Sequence, residues 1–225
     1  MRCCCGGMVG MRALDLFGGS GRVGRGVLGV AVLAAALFLG FFVRVYRIDG
    51  TSMNYGLIDG DLVLAWRRPG TIHRGDLLVV RHPDDPQQRF YIKRCVALPG
   101  DRYFVKERLL YLQLEHNATL TARLAATYGL ETAPTQEGVY LKEPYRPYYG
   151  IVHNPNLVLP KTMTDHTPET IPDAHYYTMG DYRDNSADSR IYGPVPRSWI
   201  IARIVMILKW PHNWNDLIAI QEADP

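Results

Sequence analysis

The chain has 225 residues, 47% of them hydrophobic and 21% charged, with a formal charge of +3. That length supports one full core with an insertion once an N-terminal anchor is set aside. The small charge, on Lys and Arg residues dispersed along the sequence with no basic run interleaved with aromatics, excludes a nucleic-acid partner.

Residues 1–25 carry Arg2, Arg12, Arg22 and Arg25 against only Asp15, among many glycines. They read as a basic flexible leader whose composition also suits mitochondrial import. Cys3, Cys4 and Cys5 have no zinc-ligand spacing and read as a thiol-bearing tail rather than a palmitoylation site. The spaced glycines of Gly19-Ser20-Gly21-Arg22-Val23-Gly24 lead into an apolar run and not a compact βαβ unit, so no dinucleotide site is expected there. Residues 26–43 are charge-free and apolar, near the lower limit of the roughly 17–25 residues that cross a bilayer as a helix. A cleaved signal peptide would have a shorter apolar core, and a buried core helix would have a polar face; the run fits neither and is read as a transmembrane anchor. Arginines stand on both sides of it, so the charge rule orients it only weakly.

Beyond the anchor the chain is β-rich. Asp61–Trp66, Asp76–Arg81, Arg89–Leu98 and Ile200–Leu208 are short β-branched or aromatic runs bounded by Gly, Pro and Asp, with Gly60-Asp61, Gly75-Asp76 and Gly100-Asp101 as turns. Arg74-Gly75-Asp76 is one of these turns and not an adhesion motif. The fold class is therefore mainly β, a folded antiparallel sheet or barrel with an N-terminal transmembrane helix and a loop-rich insertion. The β domain occupies 44–106 and 173–225. Residues 107–172 form the insertion, with a short helix at Asn117–Tyr128 and a Pro-, Tyr- and Thr-rich stretch from Pro134 to Pro172 that has no period. Asn117-Ala118-Thr119 is a glycosylation sequon, read as unused. Cys95, alone in the domain, allows no internal disulfide.

Two residues carry candidate chemistry. Ser52 follows the apolar span in Gly50-Thr51-Ser52-Met53, and Lys93 lies in Tyr91-Ile92-Lys93-Arg94-Cys95. A serine hydroxyl needs a base to become a nucleophile, and a desolvated lysine can serve as one. On the strand, Lys93 and Arg94 face opposite sides, each among apolar neighbours. Arginine cannot give up its proton, so only Lys93 can be a general base. Taken alone, this segment is better read as an ordinary edge strand whose cations reach to the surface.

A third segment, Gly180-Asp181-Tyr182-Arg183-Asp184-Asn185-Ser186-Ala187-Asp188-Ser189-Arg190, changes that balance. Together with Gly-x-Ser-Met after an apolar span and Tyr-Ile-Lys-Arg before Leu98-Pro99-Gly100-Asp101, it resembles the type I signal peptidase family with its serine/lysine dyad. The resemblance covers residues 48–66, 74–102 and 176–211. It implies an endopeptidase removing targeting peptides at a membrane surface, with Ser52 as nucleophile and Lys93 as general base. It further implies that Ser186 hydrogen-bonds and orients the lysine, that Asp188 and Arg190 form a structural ion pair, and that Gly180 packs close to the site. Met53 is expected to line the substrate pocket or to fill the core. Certain relatives carry a serine two residues before the nucleophile as an oxyanion donor; here that position is Gly50, which leaves the Ser52 backbone N–H and, at most, Thr51. After Met53 this chain reads Asn54-Tyr55-Gly56 in place of the family's x-Pro-Thr, leaving the path of the substrate groove open.

Within the family, the short Ser52–Lys93 spacing and the ending Ile207–Trp214 look most like the mitochondrial inner membrane proteases, subunit 2 type, while Asp184–Arg190 is closer to subunit 1 and to bacterial enzymes. The implied location is the mitochondrial inner membrane facing the intermembrane space, with a bacterial-type plasma membrane as the alternative. Relatives of the endoplasmic reticulum use histidine in place of the lysine. The implied partners are precursor proteins, the lipid bilayer and a second protease subunit of the same family. No cofactor or metal is expected, since the seven histidines and the cysteines show no ligand spacing. A catalytically silent paralogue serving as a scaffolding subunit is the alternative reading.

Overall fold

The computed structural model describes residues 21–54, 56–82, 85–87, 89–145, 150–154 and 156–208, with the backbone only for 21–26. Leader residues 1–20 with Cys3–Cys5, position 55 and the ending from Lys209 to Trp214 lie outside the described residues. The chain divides into two compact units, Met1–Gly40 and Phe41–Pro225.

Helix α1 spans Gly21–Phe42. It begins inside the segment expected to be a flexible leader and ends one residue short of the expected anchor boundary. Val43 belongs to the first strand instead, paired with Trp66. Among the described residues no helix is long and apolar enough to cross a membrane. The side chains along α1, from Val27 and Leu28 through Leu37 to Phe41, are exposed.

The second unit contains two antiparallel sheets. The first has seven strands, in spatial order Val43–Arg47 (β1), Leu62–Arg67 (β2), Ile200–Leu208 (β12), Leu77–Arg81 (β3), Phe90–Ala97 (β4), His175–Met179 (β10) and Val195–Pro196 (β11). The second has five, Thr132–Thr135 (β7), Gly138–Lys142 (β8), Leu109–Gln113 (β6), Arg102–Lys106 (β5) and His166–Thr170 (β9). The four runs read as strands are β2, β3, β4 and β12, each a β-branched or aromatic segment stopped by Gly, Asp or Pro.

The insertion departs from the expected loop-rich stretch. It holds most of the second sheet, which starts at β5, ahead of the boundary at 107. Its inner residues Tyr103, Val105, Leu110, Leu112 and Leu141 share one buried cluster with Val96, Ala97, Tyr177 and Met179 of the first sheet. Removing such apolar surface from water at about 25 cal/mol per Å² is what holds the two sheets together. The expected short helix is α2, Ala118–Tyr128, capped by the Asn117 side chain, which accepts from Leu120 N at 2.9 Å, and closed by Gly129 in the left-handed region. Arg74-Gly75 is a turn, as read, with Gly75 N donating to Cys95 O at 2.8 Å. Cys95 is free and buried.

Candidate active site

Ser52 lies in the turn that follows β1. That turn is pinned at its base by Ile48 N donating to Asp61 O at 2.8 Å and Gly60 N to Ile48 O at 3.0 Å. Within it Gly50 adopts φ +103°, a region L side chains rarely occupy, and its N–H donates to Asp59 Oδ1 at 3.0 Å. The backbone therefore selects glycine at the position where some relatives carry a serine.

Lys93 sits in the middle of β4, opposite Leu78 of β3. Because β4 is interior, residues 93–97 are buried on both faces, which overturns the picture of two cations reaching to the surface. Lys93 Nζ instead donates to Ser52 Oγ at 2.7 Å, from a side chain that is 3% exposed. Burial pushes its pKa down from 10.5 to about 8; Arg190 adds to the fall, while Asp188 and Asp181 oppose it. A buried amine poised between charged and neutral, in hydrogen-bond contact with a half-buried hydroxyl, can accept that hydroxyl's proton.

Arg94, on the other face, is also withdrawn from solvent. It forms a two-pronged pair with Asp181, Nε to Oδ1 at 2.7 Å and Nη2 to Oδ2 at 2.5 Å, and donates from Nη1 to Gly75 O at 2.8 Å. Both members are buried, so removing either one strands the other and costs roughly 3–5 kcal/mol. Neither was assigned a role from sequence.

The Gly180–Arg190 loop surrounds the pair. Asp188 and Arg190 form the expected ion pair, with Nε to Oδ1 and Nη2 to Oδ2 both at 2.8 Å, fully enclosed. Burial alone would raise the Asp188 pKa, but Arg190 and the Gly180 N–H, which donates to Oδ2 at 3.0 Å, leave it below the ordinary value. Gly180 packs as tightly as the resemblance implies. A Cβ there would lie 2.5 Å from Ser52 O and 2.6 Å from Ser186 Cβ, and closer still to Ser186 Oγ. Ser186 is buried, but its Oγ makes no hydrogen bond of normal geometry, so the expected bond to Lys93 is not formed here. The hydroxyl instead lies where it helps keep Asp188 ionised.

Two contacts join this loop to the nucleophile turn. Tyr182 N donates to Ser52 O at 3.2 Å, and Asn185 Nδ2 donates to Thr51 Oγ1 at 2.7 Å. The second bond occupies a lone pair of the Thr51 hydroxyl and leaves its proton free to donate elsewhere. The insertion supports the same loop. Asp184 Oδ2 accepts from Asn154 N at 2.6 Å, and a parallel bridge pairs Val152 with Tyr182. Arg108, at φ +71°, donates to Asn154 O at 2.9 Å and Leu157 O at 2.6 Å, and pairs with Asp184 at 3.4 Å. These buttresses join segments without periodicity and carry no sequence signal.

Ser52 and Lys93 open into a cleft of about 470 Å³ between the turn after β1 and the start of β4. Met53 lines this cleft and also packs in a buried cluster with Ile48, Leu57 and Val63. Among the described residues no group of three or more His, Cys, Asp or Glu side chains gathers as metal ligands.

Residues 23–210 match the family described as Signal peptidase, peptidase S26. The chain is 29% identical over 164 residues to signal peptidase I of Bacillus licheniformis, covering 72% of this chain and 73% of that protein. It is 31% identical over 204 residues to signal peptidase I of Pseudomonas aeruginosa, covering 76% and 66% respectively. To signal peptidase IB of Staphylococcus aureus it is 28% identical over 199 residues, covering 84% and 93%. With the family matched across most of its length, this chain belongs to the signal peptidase family, peptidase S26, and is a serine endopeptidase.

Proposed function

We propose that this protein is a membrane-anchored endopeptidase that removes N-terminal targeting peptides from precursor proteins at a membrane surface, using Ser52 as nucleophile and Lys93 as general base. The observation that carries the reading is the 2.7 Å approach of a buried Lys93 Nζ to Ser52 Oγ. Neutral Lys93 takes the hydroxyl proton as Oγ attacks the scissile carbonyl. The resulting ammonium gives that proton to the leaving amine, and an acyl-enzyme remains. Water, deprotonated by the same amine, then attacks the ester, and Ser52 Oγ recovers the proton as it leaves. The Ser52 N–H and the Thr51 hydroxyl held by Asn185 are the groups available to the oxyanion. Gly180 and the Asp188–Arg190 pair hold their loop packed beside the dyad.

Residues of α1 serve as the anchor; the support is their exposed apolar side chains with no polar face. The compartment we favour is the mitochondrial inner membrane, with the catalytic unit facing the intermembrane space and a subunit of the same family as partner. Support comes from the short Ser52–Lys93 spacing and the Arg-rich leader. A bacterial-type plasma membrane is the second reading, and the bacterial origin of the relatives named above favours it.

The test is cleavage of a precursor carrying its targeting peptide by the detergent-solubilised full chain, with the new N-terminus identified by mass spectrometry. The wild type is expected to cut at the junction, and Ser52→Ala and Lys93→Met to be inactive. Equal cleavage by all three ends the dyad reading, and an inactive wild type favours the scaffolding subunit.

A further inference from the structure

Five arginines that the sequence scatters, at positions 44, 67, 68, 81 and 197, line one groove of about 840 Å³. The sheet register gathers them. β2 ends at Arg67 and β3 at Arg81, while β4 begins at Phe90 opposite Arg81 and β12 begins at Ile200 opposite Val80. Arg44, at the start of β1, faces Ala65 at the same end of the sheet. The dispersal of charge along the chain thus conceals a basic patch on its surface.

Among the described residues no acidic side chain lines the groove, and none of the five arginines pairs with a carboxylate. Three of them have structural contacts. Arg67 donates from Nη1 to Phe41 O at 3.1 Å, and with Arg68 it lies over the Phe41 ring. Arg197 donates to the carbonyls of Pro69, Gly70 and Ile200. The side chains of Arg44 and Arg81 make no hydrogen bond or ion pair with the described residues, and both residues are exposed. Five guanidinium groups around one concavity repel each other unless an anion sits among them, and their forked N–H groups match phosphate oxygens.

The surroundings indicate which anion. Arg44 lies two residues beyond the last residue of α1, and Arg67 and Arg68 cover Phe41 in its final turn. Phe41, Val45 and Phe90 are more than half exposed beside the guanidinium groups. A ligand with a charged head and an apolar tail fits such a rim, whereas free phosphate uses only the cations. The groove also shares Tyr46 and Phe90 with the cleft that holds Ser52 and Lys93.

We propose that this groove binds the phosphodiester headgroup of an anionic membrane lipid, fixing the catalytic cleft beside the bilayer surface. The proposal rests on the membrane-anchored reading above. Its test uses the full chain in a neutral maltoside detergent, titrated with dioctanoyl phosphatidylglycerol or dioctanoyl phosphatidylcholine and read by native mass spectrometry. Phosphatidylglycerol is expected to bind at least about tenfold more tightly than phosphatidylcholine. Arg44→Gln/Arg81→Gln, which removes the two guanidinium groups without structural contacts, is expected to weaken that binding roughly thirtyfold. It should leave the lipid-free melting temperature unchanged. Arg123→Gln/Lys161→Gln removes the same charge outside the groove and is expected to bind as the wild type does. Equal binding of the two lipids, an unaffected groove variant, or an equal loss in the control variant overturns the proposal. So does thermal protection by inorganic phosphate equal to that by the lipid, or displacement of the lipid by an acidic peptide at lower concentration. Release of the chain from its native membranes by alkaline carbonate would refute the anchor instead, a result separate from selectivity in detergent.

Discussion

Replacing Lys93 by methionine removes a charge that the fold holds at a cost. In the unfolded chain the amine keeps its ordinary value of 10.5, while burial lowers it to about 8 in the folded protein. Below pH 8 both states are protonated and the folded state bears the whole penalty. Between about 8 and 10.5 the folded state has lost its proton and the unfolded state has not, so stability rises with pH; above that window the penalty is gone. A shift of this size corresponds to about 3 kcal/mol. Methionine has a similar length and no charge, so Lys93→Met should gain about that much at pH 6–7, or roughly 5–10 °C in melting temperature for a unit of this size. The same change should lower cleavage by about 10²–10⁴-fold, because among the described residues Lys93 is the group hydrogen-bonded to Ser52 Oγ and placed to take its proton. Circular dichroism melts at unit steps from pH 6 to 10, run beside a peptide-cleavage assay, read both effects. The expected variant is inactive and more stable, with its advantage shrinking as pH rises from 8 to 10.5. A variant less stable than the wild type at pH 7, an advantage independent of pH, or retained activity would each refute the reasoning.

Other consequences follow from single contacts. Arg94→Met leaves Asp181 buried and unpaired and should destabilise the protein by roughly 3–5 kcal/mol in urea unfolding. Gly180→Ala forces apart the Ser52 and Ser186 segments and should lower kcat/KM by about 10²-fold, with the chain still folded by circular dichroism. Thr51→Val should reduce kcat by about 10²-fold with little change in KM, since an oxyanion donor acts mainly in the transition state. Asn185→Ala should give a smaller loss of the same kind, whereas a KM effect in either variant would assign them to substrate binding.

The legible parts of this molecule were those with local signals. β2, β3, β4 and β12 are β-branched runs between turn residues, and α2 has its Asn117 cap and Gly129 stop. The second sheet was missed because its outer strands, Thr-Ala-Pro-Thr and His-Thr-Pro-Glu-Thr, are mostly exposed, polar and proline-bearing, as edge strands can be and loops usually are. Lys93 was legible only through the neighbouring motifs, since its own strand equally suits a surface cation. The Arg94–Asp181 pair joins residues 87 positions apart, and the arginine groove gathers side chains from positions 44 to 197. Only the register of the folded sheet brings such groups together.

If Lys93 acts as a neutral base on Ser52, the pH dependence of kcat/KM for cleavage of a targeting-peptide substrate follows the ionisation of its amine. This parameter reports the ionisation of the free enzyme. A tenfold rise per pH unit below about 8 and a plateau above it are expected, both absent from the residual activity of Lys93→Met. A wild-type profile with no inflection near 8, or the same inflection persisting in Lys93→Met, would contradict that role of Lys93.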